Sequence, residues 1–231
     1  MTYSILVRDP ATGTLGGAAT TGSLCVGGWV LRGRVGVGLS ASQGAAPSTF
    51  WGEDVLDRMA GGAGAPSAVR AVTEADPGRA QRQLTALDGT GTAAIFTGAD
   101  NTPAMGHCLL PGGIAAGNLL TSEAVLEAAA AGYETAPGGM AERLIAALRA
   151  GERAGSDSRG LMSAALLILH PEHAPMTLRV DYHDSDPIGA LAALHARASS
   201  GFYAEWAAEV PCEADPTRVL SSEFLRKNKT D

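Results

Sequence analysis

The sequence has almost no lysine. Lys227 and Lys229 are its two lysines, and both fall within the last five of 231 residues. Basic residues total 17 against 24 acidic ones, a formal charge of −7, and the arginines form no stripe. Nucleic-acid binding needs clustered cations to neutralise phosphates, so this composition argues against it. A docking surface for anionic lipid is disfavoured on the same ground. Long apolar runs are missing too. The longest aliphatic stretch, Ala164 to Leu169, is far short of the roughly 20 residues that span a bilayer. The opening segment has no basic stretch ahead of an apolar one, as a secretory signal would. Cysteine is scarce: Cys25, Cys108 and Cys212 make an odd set without metal-ligand spacing. They read as reduced, buried thiols in a cytoplasmic protein. His170 and His173 flank a Pro171-Glu172 turn, and His183 stands between Tyr182 and Asp184. No fourth-ligand pattern recurs, so neither metal nor cofactor is expected.

Glycine is what the chain has in excess, 30 of 231 residues, nearly twice the usual share of about 7%. Much of it lies in two apolar stretches, Gly13 to Gly44 and Gly112 to Gly117. Glycine inside a strand marks a bulge or the close approach of another backbone or a ligand. These stretches therefore predict tightly layered sheets and the floor of a site. At 45% hydrophobic and 18% charged, the composition is that of an ordinary globular domain with length enough for a substantial core.

Thr2 to Arg8 alternates loosely and is rich in β-formers. Asp9 to Gly13 makes a turn, and Thr14 to Thr20 returns as a hairpin partner. Val35 to Ala41 reads as a further strand. The period then lengthens: Val55, Leu56 and Met59 predict one helix, and Pro66 opens a second over Ser67 to Ala75. Arg82 to Leu87 and Thr92 to Thr97 flank Asp88-Gly-Thr-Gly91, a strong hairpin signal, and Gly113 to Leu120 reads as a strand. Ser122 is placed to cap a helix running to Ala131, with Gly132 at its end. Pro137 precedes another, whose Met140, Leu144, Ile145 and Leu148 form an apolar stripe. Strands follow over Ser163 to Leu169 and Thr177 to Tyr182, then a helix from Pro187 to Ala198. Residues 221–231 read as a flexible tail. Strands arriving in pairs, with helices in pairs, do not make an alternating βαβ fold. They predict an α+β, four-layer αββα sandwich of two antiparallel sheets with helices outside. No composition break divides residues 1–220, so a single domain is expected.

Several short motifs carry a resemblance. They are Met-Thr-Tyr-Ser-Ile-Leu-Val-Arg-Asp-Pro at the start, Gly36-Val-Gly38 with Gln43, Asp76-Pro-Gly-Arg79, Phe96-Thr-Gly98 and Gly106-His107. Later come Ala116-Gly-Asn118, Asp157-Ser-Arg-Gly160 before Ser163-Ala-Ala-Leu-Leu167, and Val180-Asp181 with Asp184 and Pro187. In order and spacing this series resembles the family called domain of unknown function 1028, over roughly residues 1 to 190. That family is regarded as a branch of the N-terminal nucleophile hydrolases, whose αββα sandwich matches the element order above.

The resemblance implies a chemistry that can be placed residue by residue. An N-terminal nucleophile hydrolase attacks an amide carbonyl with the side chain of its first residue. That residue's own α-amine, with a pKa of about 8, takes the proton. Thr2 is the candidate nucleophile: it is small enough for Met1 to be trimmed and it starts a predicted strand. The plainer reading is a β-branched strand residue. Asn118 is a second catalytic candidate, a strand-end amide aimed into a cleft, or else a turn asparagine bonding its own backbone. Gln43, followed by Gly44, sits where the superfamily often builds its oxyanion hole, and Ser40 and Ser42 alternate with it. His107, in a loop-like stretch, is a candidate acid/base or ligand-orienting group. Arg159 either pairs with Asp157 or holds a substrate carboxylate. Where proteasome-like relatives carry lysine, this chain has Arg32 and Arg34; arginine stabilises an anion but is no base. The expected activity is hydrolysis of a small amide or peptide-like metabolite. The alternative is a scaffold that binds a small metabolite without hydrolysis, or a ring opening of the cyclohydrolase kind. The abundance of small side chains also suits a close subunit interface, hence a homo-oligomer.

Overall fold

The computed structural model describes residues 2–156 and 159–228. Strands β1 (Thr2–Arg8) and β2 (Leu15–Thr21) form the expected hairpin. The Asp9 carboxylate closes its turn by accepting from the Ala11 N–H and the Thr12 hydroxyl. A one-turn helix, α1 (Val26–Trp29), leads into β3 (Leu31–Arg34) and β4 (Gly38–Gly44). The single strand expected over residues 35–41 is corrected here. Residues 35–37 form the reversal between two strands, with Gly36 at φ 72°, a left-handed conformation that favours glycine.

Helices α2 (Thr49–Ala60) and α3 (Ala65–Glu74) follow, then a 3-10 turn at Arg79–Gln81. The hairpin β5 (Arg82–Asp88) and β6 (Ala93–Thr97) comes next, and after it β7 (Gly106–Leu110) and β8 (Gly113–Asn118). Helices α4 (Ala124–Thr135) and α5 (Met140–Arg153) lead to β9 (Ser163–His170) and β10 (His173–Val180). Helices α6 (Pro187–Ala198), α7 (Gly201–Glu209) and α8 (Ser222–Lys227) complete the described chain.

Two helical expectations change. Ser122 does not cap α4, whose first turn lacks a side-chain cap, and the helix runs on through Gly132. A Cβ on Gly132 would lie 2.5 Å from the Ala150 Cβ of α5, so this glycine lets two helices cross closely. At the C-terminus, α8 stands where a tail was expected. Ser221 caps it by accepting from the Phe224 N–H, and the buried Phe224 ring stacks 5.7 Å from that of Phe202 on α7.

All strand pairs are antiparallel. One sheet has the order β10-β9-β2-β1-β8-β7 and the other β3-β4-β5-β6. Three hydrophobic cores separate four layers. Tyr3, Ile5, Val7, Leu144 and Leu148 join the six-stranded sheet to α4, α5 and α6. Leu6, Leu39, Leu87 and Ile114 fill the space between the sheets. Trp51, Val55, Leu56, Leu84 and Ala86 seal the four-stranded sheet under α2 and α3. The order is therefore helix, sheet, sheet, helix, as expected. No helix among the described residues is long and apolar enough to cross a membrane.

Candidate functional site

Alternation along the strands decides which side chains enter the space between the sheets. On β1, Tyr3, Ile5 and Val7 belong to the helix-side core while Leu6 lies between the sheets, so Thr2 and Ser4 face inward with it. On β4, Leu39 and Ala41 face inward and carry Gln43 with them. Ser40 and Ser42 turn the other way and donate to the Gly52 and Ser48 carbonyls at the start of α2. That settles their role as helix-seating residues. Gln83 on β5 and Asn118 on β8 join the inward set, with Gln43 and Asn118 both hydrogen-bonded to Gln83.

At this end of the sandwich a cleft of about 420 Å³ opens between β1, β2 and the chain after β4. Thr2, Thr21, Gln43, Gly44 and Arg159 supply polar parts of its wall, and Val26, Trp29 and Val30 an apolar side. Thr2 is 9% exposed, and its hydroxyl donates to Thr21 Oγ1 across the hairpin at 3.1 Å. Gly44, at φ 134°, turns the chain out of β4; a Cβ there would lie 2.6 Å from the Gln81 carbonyl oxygen. Asn101 pins the next residue by accepting from the Ala45 N–H at 3.0 Å. Sequence reasoning missed Asn101, whose partner at the cleft, Ala45, lies 56 positions away.

Behind the cleft lies a fully buried amide network, and main-chain carbonyls fix its orientation. Gln83 Nε2 donates to the Gly117 and Gly106 carbonyls at 3.1 and 3.3 Å and to Thr97 Oγ1 at 2.9 Å. A carbonyl oxygen only accepts, so Gln83 Oε1 must point the other way. There it accepts from Gln43 Nε2 at 2.7 Å and Asn118 Nδ2 at 3.4 Å. Gln43 Nε2 also donates to the Ala116 carbonyl at 3.2 Å. Both N–H bonds of Gln43 are thereby engaged, so its amide nitrogen has no donor left for an oxyanion. Its Oε1 is buried without a partner among the described residues.

The model of a family described as "Family of unknown function (DUF1028)" matches residues 2–191. The chain belongs to DUF1028. Among solved structures, it is similar to the crystal structure of protein SPO2555 from Silicibacter pomeroyi. That similarity has a TM-score of 0.92 at 52% identity and covers 96% of each chain. It reaches beyond the DUF1028 segment, which ends within α6. No curated protein matches the chain.

The remaining sequence candidates of this DUF1028 chain lie elsewhere. Asn118 is opposite Thr2 in the β1–β8 register but 2% exposed, behind the wall rather than in it. Arg34 ends the edge strand β3 and pairs with Asp57 of α2 at 2.8 Å. Arg32 likewise pairs with Glu53 of α2. His107 is a strand residue, on the edge strand β7, and lines a separate groove with Arg79 and Phe96. Met1 and Asp157 lie outside the described residues. A larger cavity, about 550 Å³, sits at the far end of β1 beside Arg8, Tyr133 and Arg143. It holds none of the candidate site residues named from the sequence. Among the thiols only Cys212 is buried; Cys25 and Cys108 are half-buried, which corrects the expectation of three buried ones. Burial, with Glu127 and Glu134 nearby, pushes the Cys108 thiol up and keeps it protonated. Among the described residues no three His, Cys, Asp or Glu side chains are grouped to hold a metal ion.

Proposed function

We propose that the cleft is the active site of an amidohydrolase of N-terminal nucleophile type, with Thr2 as nucleophile. One observation carries the reading. Thr2 is the first residue of a central strand, and its side chain stands in the wall of a cleft that also holds Gln43, Gly44 and Arg159. Removal of Met1 leaves a free α-amine on the residue that bears the hydroxyl. That amine takes the Thr2 Oγ proton as the oxygen adds to the carbonyl carbon of the amide. Collapse of the tetrahedral adduct passes the proton to the departing nitrogen and leaves an ester on Thr2. Water, deprotonated by the same amine, then releases the acid and restores the hydroxyl. Arg159 is the one charged side chain of the wall among the described residues and suits a developing oxyanion or a substrate carboxylate. With the Gln43 N–H groups engaged, its part is in binding rather than in stabilising the oxyanion.

The test is an intact mass of protein made in cells with normal methionine aminopeptidase, before and after a β-lactone probe. Loss of Met1 and a single adduct on Thr2 are expected, with no adduct on Thr2→Ala. A second reading follows from the same wall, because among the described residues it contains no side-chain base. If Met1 is retained and no adduct forms, the cleft has no group to take the proton and binds a small metabolite without hydrolysing it.

A further inference from the structure

We infer that the cavity at the far end of β1 binds a small phosphate monoester. Arg143 and the Tyr133 hydroxyl hold the phosphate, Arg8 supplies a second positive charge, and Asp9 accepts from a hydroxyl or ammonium group elsewhere on the ligand. Arg8, Asp9 and Pro10 line this cavity of about 550 Å³. They belong to the opening sequence motif, and the proposed hydrolysis uses none of them. Arg143 is fixed from two sides. Its Nε donates to the Tyr133 carbonyl at 2.9 Å, and its guanidinium carbon lies 4.1 Å from the centroid of the Tyr133 ring. That leaves its two terminal nitrogens as a fork of set orientation. No acceptor meets the fork among the described residues, where neither Arg143 nor Arg8 forms an ion pair.

Tyr133 is a second, independent sign of a ligand. It is 7% exposed, yet its hydroxyl makes no hydrogen bond among the described residues and is not sealed from solvent. It therefore opens into the cavity that it lines. Burial pushes the phenol up, against the pull of Arg143 and with Asp9 adding to it, so the hydroxyl keeps its proton and donates. An oxyanion on the Arg143 fork gives it an acceptor. A phosphate monoester fits better than a carboxylate. Its charge of about −1.5 to −2 answers two arginines, and its three oxygens leave one for Tyr133 after the fork has taken two. Asp9 is the one acidic side chain of the cavity among the described residues. Bonds from Ala11 and Thr12, with Arg8 nearby, hold its carboxyl below the usual value, so it is ionised. It turns away a second anionic group and favours a donor. Glu142, beside Arg143 in sequence, is outside the lining, with Oε1 4.0 Å from His195 Nε2.

Thr2 and Arg8 are the two ends of β1, about 20 Å apart at roughly 3.3 Å per residue, so this site is tested apart from the cleft. Isothermal titration of the whole protein at fixed ionic strength compares glycerol 3-phosphate and phosphoethanolamine with succinate and 2-phosphoglycolate. The first two are expected to bind at least about tenfold tighter than either comparison acid, because succinate lacks the phosphate and 2-phosphoglycolate sets a carboxylate against Asp9. Arg143→Gln and Tyr133→Phe are each expected to weaken glycerol 3-phosphate about tenfold, as loss of a hydrogen bond to a charged group does. Thr2→Ala is expected to leave its affinity unchanged. Tyr133→Phe keeps the ring on which Arg143 rests, so it decides alone should Arg143→Gln fail to fold. No binding of either phosphate ester at millimolar concentration overturns the inference. So does binding of succinate or 2-phosphoglycolate as tight as that of glycerol 3-phosphate, or an affinity undiminished in Tyr133→Phe. A loss in Thr2→Ala as large as that in Arg143→Gln overturns it too, by placing the ligand in the cleft.

Discussion

A single buried amide, that of Gln83, ties the two sheets together at the inner end of the cleft. It is fully buried and bonds to Gln43 and Thr97 in its own sheet and to Asn118 and the Gly106 and Gly117 carbonyls in the other. Gln83→Leu leaves two N–H donors and two carbonyls short of a partner at once. We expect it to lower stability by at least about 2 kcal/mol, since each buried polar group left unpaired costs of that order. Urea denaturation with an unchanged slope checks the figure. Arg34→Ala is the contrast: it breaks an ion pair whose partner is largely exposed, and a change within about 0.5 kcal/mol is expected. A Gln83→Leu protein as stable as the unmutated one would show that the amide network is held by the cores rather than holding them.

The residues of the cleft were partly legible beforehand. Thr2, Gln43, Gly44 and Arg159 were picked from their motifs, and the fold gathers them into one wall. Gln83 passed as an ordinary strand residue, although a signal was present. Leu84 and Ala86 make one face of β5 apolar while Gln83 and Thr85 stand on the other ahead of Leu87, and two polar side chains on the inner face of a strand buried on both sides need partners. Arg34 and His107 have suitable chemistry but sit on edge strands. Residue type alone carries no information about sheet order.

Between elements, Asp88 does the work of two turns. Its Oδ1 accepts from the Thr90 and Thr92 N–H groups and the Thr90 hydroxyl, which fixes the β5–β6 hairpin. Its Oδ2 accepts from the Ala65 N–H, at the start of a helix whose own N-cap, Gly64, offers no side chain. The hairpin was readable from Asp-Gly-Thr-Gly; the helix cap was not, because the capping carboxylate lies 23 positions away in sequence. Strand β3 escaped notice for another reason: Leu-Arg-Gly-Arg has neither length nor alternation, and pairing with β4 alone makes it a strand. Burial by itself would raise the Asp88 pKa, but the bonds from Ala65, Thr90 and Thr92 outweigh it and hold the carboxyl below its usual value. A folded-state pKa below the unfolded one means that the unfolded chain binds the proton first. The stabilisation is therefore complete above the unfolded pKa, about 3.9, and fades as pH falls through the folded one. Asp88→Asn is expected to cost about 1–2 kcal/mol at neutral pH. Its deficit against the unmutated protein should shrink below about pH 4. Chemical denaturation at pH 7 and pH 3 reads this directly, and a deficit of equal size at both would remove the carboxylate from the explanation.

For the molecule as a whole, the layer order followed from strands and helices arriving in pairs, while the depth to which the layers interlock did not. β1 contributes Tyr3, Ile5 and Val7 to the core under α4–α6 and Leu6 to the core between the sheets. β5 contributes Leu87 to the inter-sheet core and Leu84 and Ala86 to the core under α2 and α3. Each sheet is thus a wall shared by two cores, and neither outer layer can leave without exposing the middle one. We propose that residues 2–228 unfold as one cooperative unit. Leu144→Ala, Leu6→Ala and Leu84→Ala remove a fully buried side chain from the three cores in turn. Each is expected to cost about 2–5 kcal/mol and to shift the whole transition. The aromatic groups provide separate reporters, because Tyr3 and Tyr133 lie in one outer core and Trp51, edge-on to Phe96, in the other. Coincident melting of the tyrosine and tryptophan bands in near-UV circular dichroism, matched by the far-UV signal, is the expected result in all three variants. If Leu84→Ala instead released the tryptophan band while the tyrosine band stayed native, the four-stranded sheet with α2 and α3 would be a unit of its own. The cleft, built from β1, β2 and the chain leaving β4, would then lie on a boundary that opens before the protein unfolds.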